Sequence, residues 1–557
     1  MTFQKIDPKK ILGIFYDYVH INSETGTLRE NQASGFVSDY FCRLPYFKKF
    51  SEHFGRFPIL DDPFDRSVVW ALVKGRGSKT AVLMHHFDVV GIEDFLRFKD
   101  HAFEPDALMQ KLKGSPEILS PEAREDLLSD EWIFGRGTAD MKAGGAIQMS
   151  MLEACSELED FEGNLLMLAV PDEENMSAGM RSAALLLDML HDRHGLEYCL
   201  MINSEPHQRK TKDTGLFSGG SIGKIMPFFY CRGVLAHAGK SSEGFNPLSI
   251  LSECIRQTEM NPDLADFCSL SHELSPLPTW LMARDSKTTY DVSMPLSAFG
   301  CLSMQPLNSR PSDILLKLKG LVTKGATEAV NQINHSAGRH NERTGRKTGL
   351  KNWQARVYLY GEWVKMLLVN HGQTFETFYT QTLKDIHDRV GSGDITHSLG
   401  TWMLMDALSE YAGCEDPTLI IGIVPPFYPS VSYLDRQDFK TMIMDLHQFL
   451  DGISRRRYGQ SYDLEAYFSG ISDLSYTSVK SQDLLAIRQT IPQEMPLYGR
   501  LYTIPFEQIA LHAMPCINIG PWGKDLHKLS ERVLKEDLIN RTPHLIQCAL
   551  EKVLKTA

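Results

Sequence analysis

Short apolar runs alternate with amphipathic segments over most of the chain. Four of these runs cover residues 80–90, 164–170, 197–203 and 514–520. Each has the length of a strand and is bounded by turn residues, so we predict four buried β-strands. Helical spacing of apolar residues between and around them predicts flanking helices. This alternation indicates an α/β fold in which a mixed sheet is flanked by helices.

The middle of the chain breaks this alternation. From residue 222 to about residue 370, the pattern predicts the order β-α-β-β-α-β, which favours a small ferredoxin-like α+β domain. We therefore predict a discontinuous main domain, residues 1–221 and 371–557, and an inserted domain, residues 222–370. The helix at 396–412 and the strand TLIIGIV (418–424) are assigned to the main domain.

Histidine and acidic residues lie just after the predicted strands of the main domain. Ligands of open α/β sheets bind outside the carboxyl ends of the strands, so we expect these side chains to converge. Two histidines and three carboxylates form the donor set of a dinuclear zinc or cobalt site with one bridging carboxylate, whereas magnesium would use fewer histidines. The residues are His86, Asp140, Glu174, Glu205 and His527.

Each of these residues has a simpler explanation when it is taken alone. A histidine at a strand end is usually a structural group, and Asp140 before a helix fits an N-cap or a turn. The acidic triplet 172–174 fits a solvated loop. Four of the residues lie just past the carboxyl end of a predicted strand, and Asp140 lies at the start of a helix. This shared placement favours the metal site over the separate explanations.

The length, net charge and cysteine content of the chain limit the classes of protein to which it can belong. The chain has 557 residues, enough for two or more domains, and its net charge of −12 disfavours a nucleic-acid binder. The N-terminus has no apolar core for a secretion signal, and no apolar run is long enough to cross a bilayer. Its ten cysteines are scattered without a C-x-x-C pair, which favours reduced thiols and a cytoplasmic protein.

A serine-hydrolase motif offers one alternative. Residues 219–223 (GGSIG) fit G-x-S-x-G, which requires a strand before the serine and a helix after it. Here a turn-rich segment precedes Ser221 and a strand-like segment follows it. We therefore interpret this stretch as the hinge into the inserted domain.

Six stretches together resemble a known enzyme family. The chain resembles the co-catalytic zinc peptidases and amidohydrolases that include aminoacylase, acetylornithine deacetylase, succinyl-diaminopimelate desuccinylase and glutamate carboxypeptidase. Its length and the segment YFSGISDLSY (467–476) look most like the arginine-utilisation RocB-type branch. The stretches are HFDVV (86–90), GRGTADMKAG (135–144), PDEEN (171–175), SEP (204–206), AHAGK (236–240) and INIGPWGKDLHKLSERV (517–533).

The resemblance implies a zinc-exopeptidase-like main domain with two zinc ions per subunit, or cobalt or manganese in their place. His86, Asp140 and Glu205 would hold one ion. Asp140, Glu174 and His527 would hold the other, so that Asp140 bridges the pair.

The resemblance also implies catalytic and assembly roles. Asp88 would orient His86, and Glu173 would be the general base. His237 of the inserted domain would reach an active site, typically that of the partner subunit. The inserted domain would act as a lid and as the contact of a homodimer.

The expected reaction is hydrolysis of an amide bond in a small peptide or an N-acyl amino acid, with a link to arginine or amino-acid catabolism through the branch. The alternative is a non-catalytic, metal-binding regulatory homologue. Asn246 and Asp473 are the candidate substrate residues. The sequence departs from the family in a long connection between Asp88 and Asp140 and in the absence of an Asp-x-Arg strand near 296–306.

Overall fold

The chain divides into two units that interleave along the sequence. The computed structural model describes residues 6–209, 211–345 and 351–555. The large unit comprises Met1–Ile222, Ser430–Lys480 and Pro505–Ala557, and the small unit comprises Gly223–Pro429 and Ser481–Ile504.

The strands of the described residues are β1 (Phe54–Pro58), β2 (Ser67–Val73), β3 (Lys79–His86), β4 (Trp132–Phe134), β5 (Asn164–Val170), β6 (Glu197–Asn203), β7 (Thr214–Ser218), β8 (Gly220–Ser221), β9 (Lys224–Arg232), β10 (Phe267–Cys268), β11 (Glu273–Leu274), β12 (Thr279–Asp285), β13 (Ser297–Ser303), β14 (Arg356–Leu359), β15 (Thr418–Tyr428), β16 (Val431–Ser432), β17 (Ser461–Glu465), β18 (Cys516–Asn518), β19 (Gly523–Lys524) and β20 (Arg532–Leu534).

The α-helices are α1 (Pro8–Val19), α2 (Glu30–Cys42), α3 (Pro45–Lys49), α4 (Pro105–Lys113), α5 (Pro121–Ser129), α6 (Lys142–Ser156), α7 (Ala178–His194), α8 (Leu248–Thr258), α9 (Pro311–Thr344), α10 (Tyr360–His371), α11 (Gln373–Gly391), α12 (His397–Tyr411), α13 (Gln437–Tyr458), α14 (Ser481–Glu494), α15 (Phe506–Leu511) and α16 (Thr542–Leu554).

The main sheet of the large unit has the strand order β1-β2-β5-β3-β6-β18-β7-β17. Its centre is parallel, because β3 pairs in parallel with β5 and β6, and β18 pairs in parallel with β6. These are the four strands predicted from the apolar runs, and they are consecutive in the sheet. Their carboxyl ends therefore lie along one edge. The predicted mixed α/β fold is confirmed.

Helix α6 packs tightly against this edge of the sheet. It is buried along most of its length and contacts β3 and β5. A Cβ atom placed on Gly144 would lie 2.3 Å from the backbone oxygen of Ser204, which follows β6. Only glycine permits this approach, so the helix that follows Asp140 sits directly beside the strand ends.

The small unit is built on a separate sheet with the order β12-β13-β9-β15-β14. Its pairs are antiparallel apart from β14 and β15, which run in parallel. The core of this unit contains Phe228, Phe299, Trp402 and Ile420, and the rings of Phe299 and Trp402 stack with centroids 5.5 Å apart.

The strand TLIIGIV was assigned to the wrong domain. Residues 418–424 belong to β15, which pairs antiparallel with β9 of the small unit, and α12 lies in the small unit too. An apolar run fits the centre of either sheet, so its pattern does not identify its partner strand. The small unit accordingly extends to Pro429 and regains Ser481–Ile504, whereas the sequence placed the boundary at residue 370.

A second difference concerns the last strand of the β-α-β-β-α-β order predicted for the inserted domain, which falls on residues 355–363 (ARVYLYGEW). Only Arg356–Leu359 forms β14, and α10 begins at Tyr360. The glutamate of this segment, Glu362, accepts a hydrogen bond from the backbone N–H of Leu359 and so caps the helix. Aromatic residues favour strands, but this local cap decides the boundary.

Two further features bear on the class of protein. No helix among the described residues is both long and apolar enough to span a bilayer. All ten cysteines lie in the described part of the chain, and no disulfide bond joins any of them there.

Candidate metal centre

The histidine and acidic side chains at the strand ends converge. Nε2 of His86 lies 3.1 Å from Oδ1 of Asp140 and 3.3 Å from Oε1 of Glu205. Nε2 of His527 lies 3.1 Å from Oδ2 of Asp140 and 3.0 Å from Oε1 of Glu174. Each oxygen of the Asp140 carboxylate therefore faces a different histidine. The structure brings together all five side chains that the sequence singled out.

Three sets of three donors within the described residues could hold a cation, and the donor atoms of each set lie within 4.8 Å of one another. Two of these sets share Asp140: one is His86, Asp140 and Glu205, and the other is Asp140, Glu174 and His527. The third set is His86, Glu173 and Glu174. Imidazole nitrogens and carboxylate oxygens are donors that suit zinc, and a shared carboxylate suits a pair of metal ions. The residues present therefore fit a dinuclear centre.

The electrostatics of the cluster also favour bound cations. Burial raises the pKa of Glu205 to about 7, and burial together with Asp140 raises the pKa of Glu174. Hydrogen bonds with Asp140 and Glu174 raise the pKa of His527 to about 11. Adjacent buried carboxylates do not all ionise unless positive charge neutralises them. Either protons or metal ions can supply that charge, and the convergence of two histidines with three carboxylates suits metal ions.

Asp88 connects two parts of the cluster. The Nδ1 atom of His86 lies 3.0 Å from the backbone oxygen of Asp88 and 3.5 Å from its carboxylate. A proton on Nδ1 directs Nε2 toward the donors of the cluster. The Asp88 carboxylate accepts hydrogen bonds from the backbone N–H groups of Glu173 and Glu174, both at 3.1 Å. Asp88 thus fixes the acidic loop as well as the histidine.

Glu173 lies at the rim of the same cluster. Its carboxylate is 4.0 Å from Nε2 of His86, and its side chain is 8% exposed. Burial raises the pKa of Glu173 well above its ordinary value, and the negative charges of Glu174, Glu205 and Asp473 add to the effect. A carboxyl group with a raised pKa beside a metal site is suited to proton transfer near neutral pH.

A buried ion network that the sequence analysis missed supports the acidic loop. Nη1 of Arg66 donates to Oδ1 of Asp172 at 2.6 Å and to Oε1 of Glu30 at 2.7 Å. Oε2 of Glu30 accepts a hydrogen bond from the backbone N–H of Asp172. Asp172 has a φ of +69°, a left-handed conformation that is uncommon for residues other than glycine, and these contacts hold it. The turn directs Glu173 and Glu174 into the cluster.

Asp473, a candidate substrate residue, lies in the large unit near Glu173. It begins a 3₁₀ turn, Asp473–Tyr476, and is 1% exposed. Burial raises its pKa to about 7, with opposing contributions from the Ser177 hydroxyl and His86. It is therefore a second protonatable carboxyl group beside the proposed base.

His237 and Asn246 lie in the small unit and make local capping contacts there. Nδ1 of the exposed His237 accepts a hydrogen bond from the backbone N–H of Gly239 at 3.0 Å. Oδ1 of Asn246 accepts one from the backbone N–H of Leu248, at the start of α8. Their roles toward substrate stay predictions.

Ser221 does not lie in a nucleophile elbow. It is fully buried in β8, which pairs with β16, and β9 follows at Lys224 where the motif requires a helix. The structure contradicts the serine-hydrolase alternative.

A comparison of the sequence with protein-family models supports a metal centre of this kind. Residues 121–551 match "Peptidase family M20/M25/M40". The chain belongs to this family. It is thus a metallohydrolase of the metallopeptidase and amidohydrolase class with a buried His/Asp/Glu cluster, as the resemblance implied.

Individual relatives match over nearly their whole length. The chain is 31% identical to YqjN of Bacillus subtilis (strain 168), over 100% of this chain and 98% of that protein. It is 28% identical to RocB of the same organism, over 95% of this chain and 92% of that protein. Its fold is similar to that of a tripeptidase from Staphylococcus aureus, with 12% identity, a TM-score of 0.51, and coverage of 99% of this chain and 100% of the other.

The Arg66 network generates a prediction about stability. Arg66→Met should lower the free energy of unfolding by about 3–5 kcal/mol, because it leaves Glu30 and Asp172 buried without their cation. Denaturant unfolding of the metal-free protein measures the change. Arg76→Met is the matched control, since the Arg76–Asp160 pair is 3.5 Å apart with side chains 69% and 84% exposed. Equal stability of the two variants would contradict the assigned role.

Proposed function

We propose that the protein is a dinuclear metal-dependent hydrolase that cleaves an amide bond in a small peptide or an N-acyl amino acid. The observation that supports this most is the sharing of Asp140 by two sets of donors, with Glu173 at their rim. His86, Asp140 and Glu205 would hold one ion, and Asp140, Glu174 and His527 the other.

Zinc, or cobalt or manganese in its place, would supply Lewis acidity toward water and toward the substrate carbonyl. The carboxylate of Glu173 takes a proton from the attacking water and delivers it to the leaving nitrogen. Its position next to Glu174 keeps it close to the reacting atoms without making it a ligand. The Asp88 carboxylate holds the backbone N–H groups of both glutamates, so the proposed base and its neighbour keep fixed positions relative to each other.

His237 is proposed to donate a hydrogen bond to the developing oxyanion, in the active site of a partner subunit of a homodimer. Its local contacts support a donor role. Because Nδ1 accepts from Gly239, the neutral ring carries its proton on Nε2. The exposed Nε2–H can then donate to an oxyanion.

The physiological substrate is proposed to be a small peptide or an N-acyl amino acid, and N-acyl amino acids and dipeptides, including those of arginine, are the first compounds to test. The proposed link to arginine or amino-acid catabolism rests on the resemblance to the RocB-type branch, and the chain is similar to RocB over 95% of its length. Asn246 and Asp473 are the proposed substrate-side residues. The competing proposal is a metal-binding regulatory homologue without turnover, but the presence of Glu173 together with all five donors favours the enzyme.

A hydrolysis screen separates these two functions. The purified protein is incubated with N-acyl amino acids and dipeptides in the presence of zinc, cobalt or manganese, and the released amine is quantified. Metal-dependent release from at least one substrate class supports the enzyme. Two bound metal ions without turnover on any member of the panel would favour the regulatory homologue.

Glu173→Gln tests the general base. We expect kcat to fall by about 10²–10⁴-fold with metal content unchanged, since the amide cannot accept the proton and the residue is not a proposed ligand. Elemental analysis and steady-state kinetics measure both quantities. Glu174→Gln should instead lose bound metal, and Glu159→Gln, an exposed residue of the same unit, should match the wild type. Near-normal turnover in Glu173→Gln would exclude the role.

Asp473→Asn tests the electrostatic environment of the base. The negative charge of Asp473 raises the pKa of Glu173, so its removal should lower that pKa. Glu173 must be ionised to accept a proton, and the acidic limb of the kcat/KM profile should therefore move to lower pH. The control is Asp463→Asn, at an exposed position on β17. An acidic limb that stays in place or moves upward would contradict this arrangement.

A further inference from the structure

Glu531 lies four residues after His527 and has no part in the proposed chemistry. Its side chain is fully buried. Its Oε1 atom accepts hydrogen bonds from the backbone N–H groups of Ala139 and Asp140, both at 3.2 Å. Its Oε2 atom accepts one from Nη1 of Arg136 at 2.6 Å. One carboxylate thus joins the His527 loop to the turn that carries Asp140.

Other contacts hold the two ends of this connection. The backbone oxygen of Glu531 accepts from the N–H of Gly135, and β20 pairs with β4 next to it. Arg136 is 1% exposed and also donates to Asp94 at 2.7 Å. The guanidinium therefore has a fixed position, and it neutralises the carboxylate that it holds.

The His527 loop needs such an anchor. His527 and Asp525 have φ values of +64° and +53°, and the side chain of His527 is 49% exposed. Left-handed conformations at non-glycine residues persist where surrounding contacts enforce them. An exposed ligand on such a loop keeps its distance to Asp140 only if the loop is tied to the Asp140 turn.

We propose that Glu531 is a positioning residue that sets the Asp140 carboxylate against His527 through the two backbone hydrogen bonds at Ala139 and Asp140. This inference rests on the proposed metal centre. Outer contacts of this kind commonly change metal affinity by about 10–100-fold when they are lost.

Two substitutions at Glu531 separate positioning from simple stabilisation. Glu531→Asp keeps the negative charge beside Arg136 but withdraws the carboxylate from the two backbone N–H groups of Ala139 and Asp140. Glu531→Gln keeps an acceptor within reach of those groups but loses the ion pair. If the backbone contacts matter, Glu531→Asp should weaken metal binding more than Glu531→Gln. If only the buried ion pair matters, Glu531→Gln should lose more zinc affinity than Glu531→Asp.

The readout is the zinc affinity of metal-stripped protein, measured by competition with a chromogenic chelator. We expect the dissociation constant of the weaker site to rise by about 10–100-fold in Glu531→Asp. Asp537→Asn is the matched control, because Asp537 is equally buried and bonds to Arg209 and to the backbone N–H of Trp522 without contacting a proposed ligand. It should leave zinc affinity within about twofold of the wild type.

Wild-type affinity in Glu531→Asp, or an equal loss in Asp537→Asn, would overturn the inference. A wild-type protein that binds no zinc would instead contradict the proposed function itself. Hydrogen exchange of the wild-type protein gives a test that needs no variant. The amides of Ala139 and Asp140 should be protected in metal-free protein, and protection that appears only on addition of zinc would also overturn the inference.

Discussion

The structure of the site depends on one carboxylate with a different histidine at each oxygen. Oδ1 of Asp140 lies 3.1 Å from His86, and Oδ2 lies 3.1 Å from His527, although the two histidines are far apart in sequence. Asp140 itself lies in a turn between β4 and α6, and Gly144 lets α6 approach the end of β6. The position of the Asp140 side chain depends on three features. They are the parallel centre of the main sheet, the turn before α6, and the close packing of α6 against the sheet.

Burial of so many acidic groups couples folding to cations. Burial raises the pKa of Glu205 to about 7, and burial together with Asp140 raises that of Glu174, so protons compete with metal ions for these carboxylates. Because of this competition, metal affinity should rise with pH. The Arg66 network has a different function: its guanidinium supplies permanent positive charge to Asp172, and it leaves Glu174 and Glu173 for the proposed roles in metal binding and proton transfer.

The sequence predicts the parts of this arrangement that have a local signature. Strands β3, β5, β6 and β18 appear as apolar runs, and the residues after them meet because parallel strands end at one edge. It does not predict that β15 pairs with β9, because the apolar pattern of a strand does not specify which strand it pairs with. Glu30, Arg66 and Glu531 were also missed. Their contacts join segments distant in sequence, and each residue alone resembles an ordinary charged position.

The most direct test of the dinuclear centre is anomalous X-ray diffraction at the zinc edge, from crystals grown with zinc. The account predicts two anomalous peaks about 3.5–4 Å apart in the large unit. One should lie beside His86 and Glu205, the other beside Glu174 and His527, with Asp140 contacting both. A single peak, or peaks away from Asp140, would contradict it.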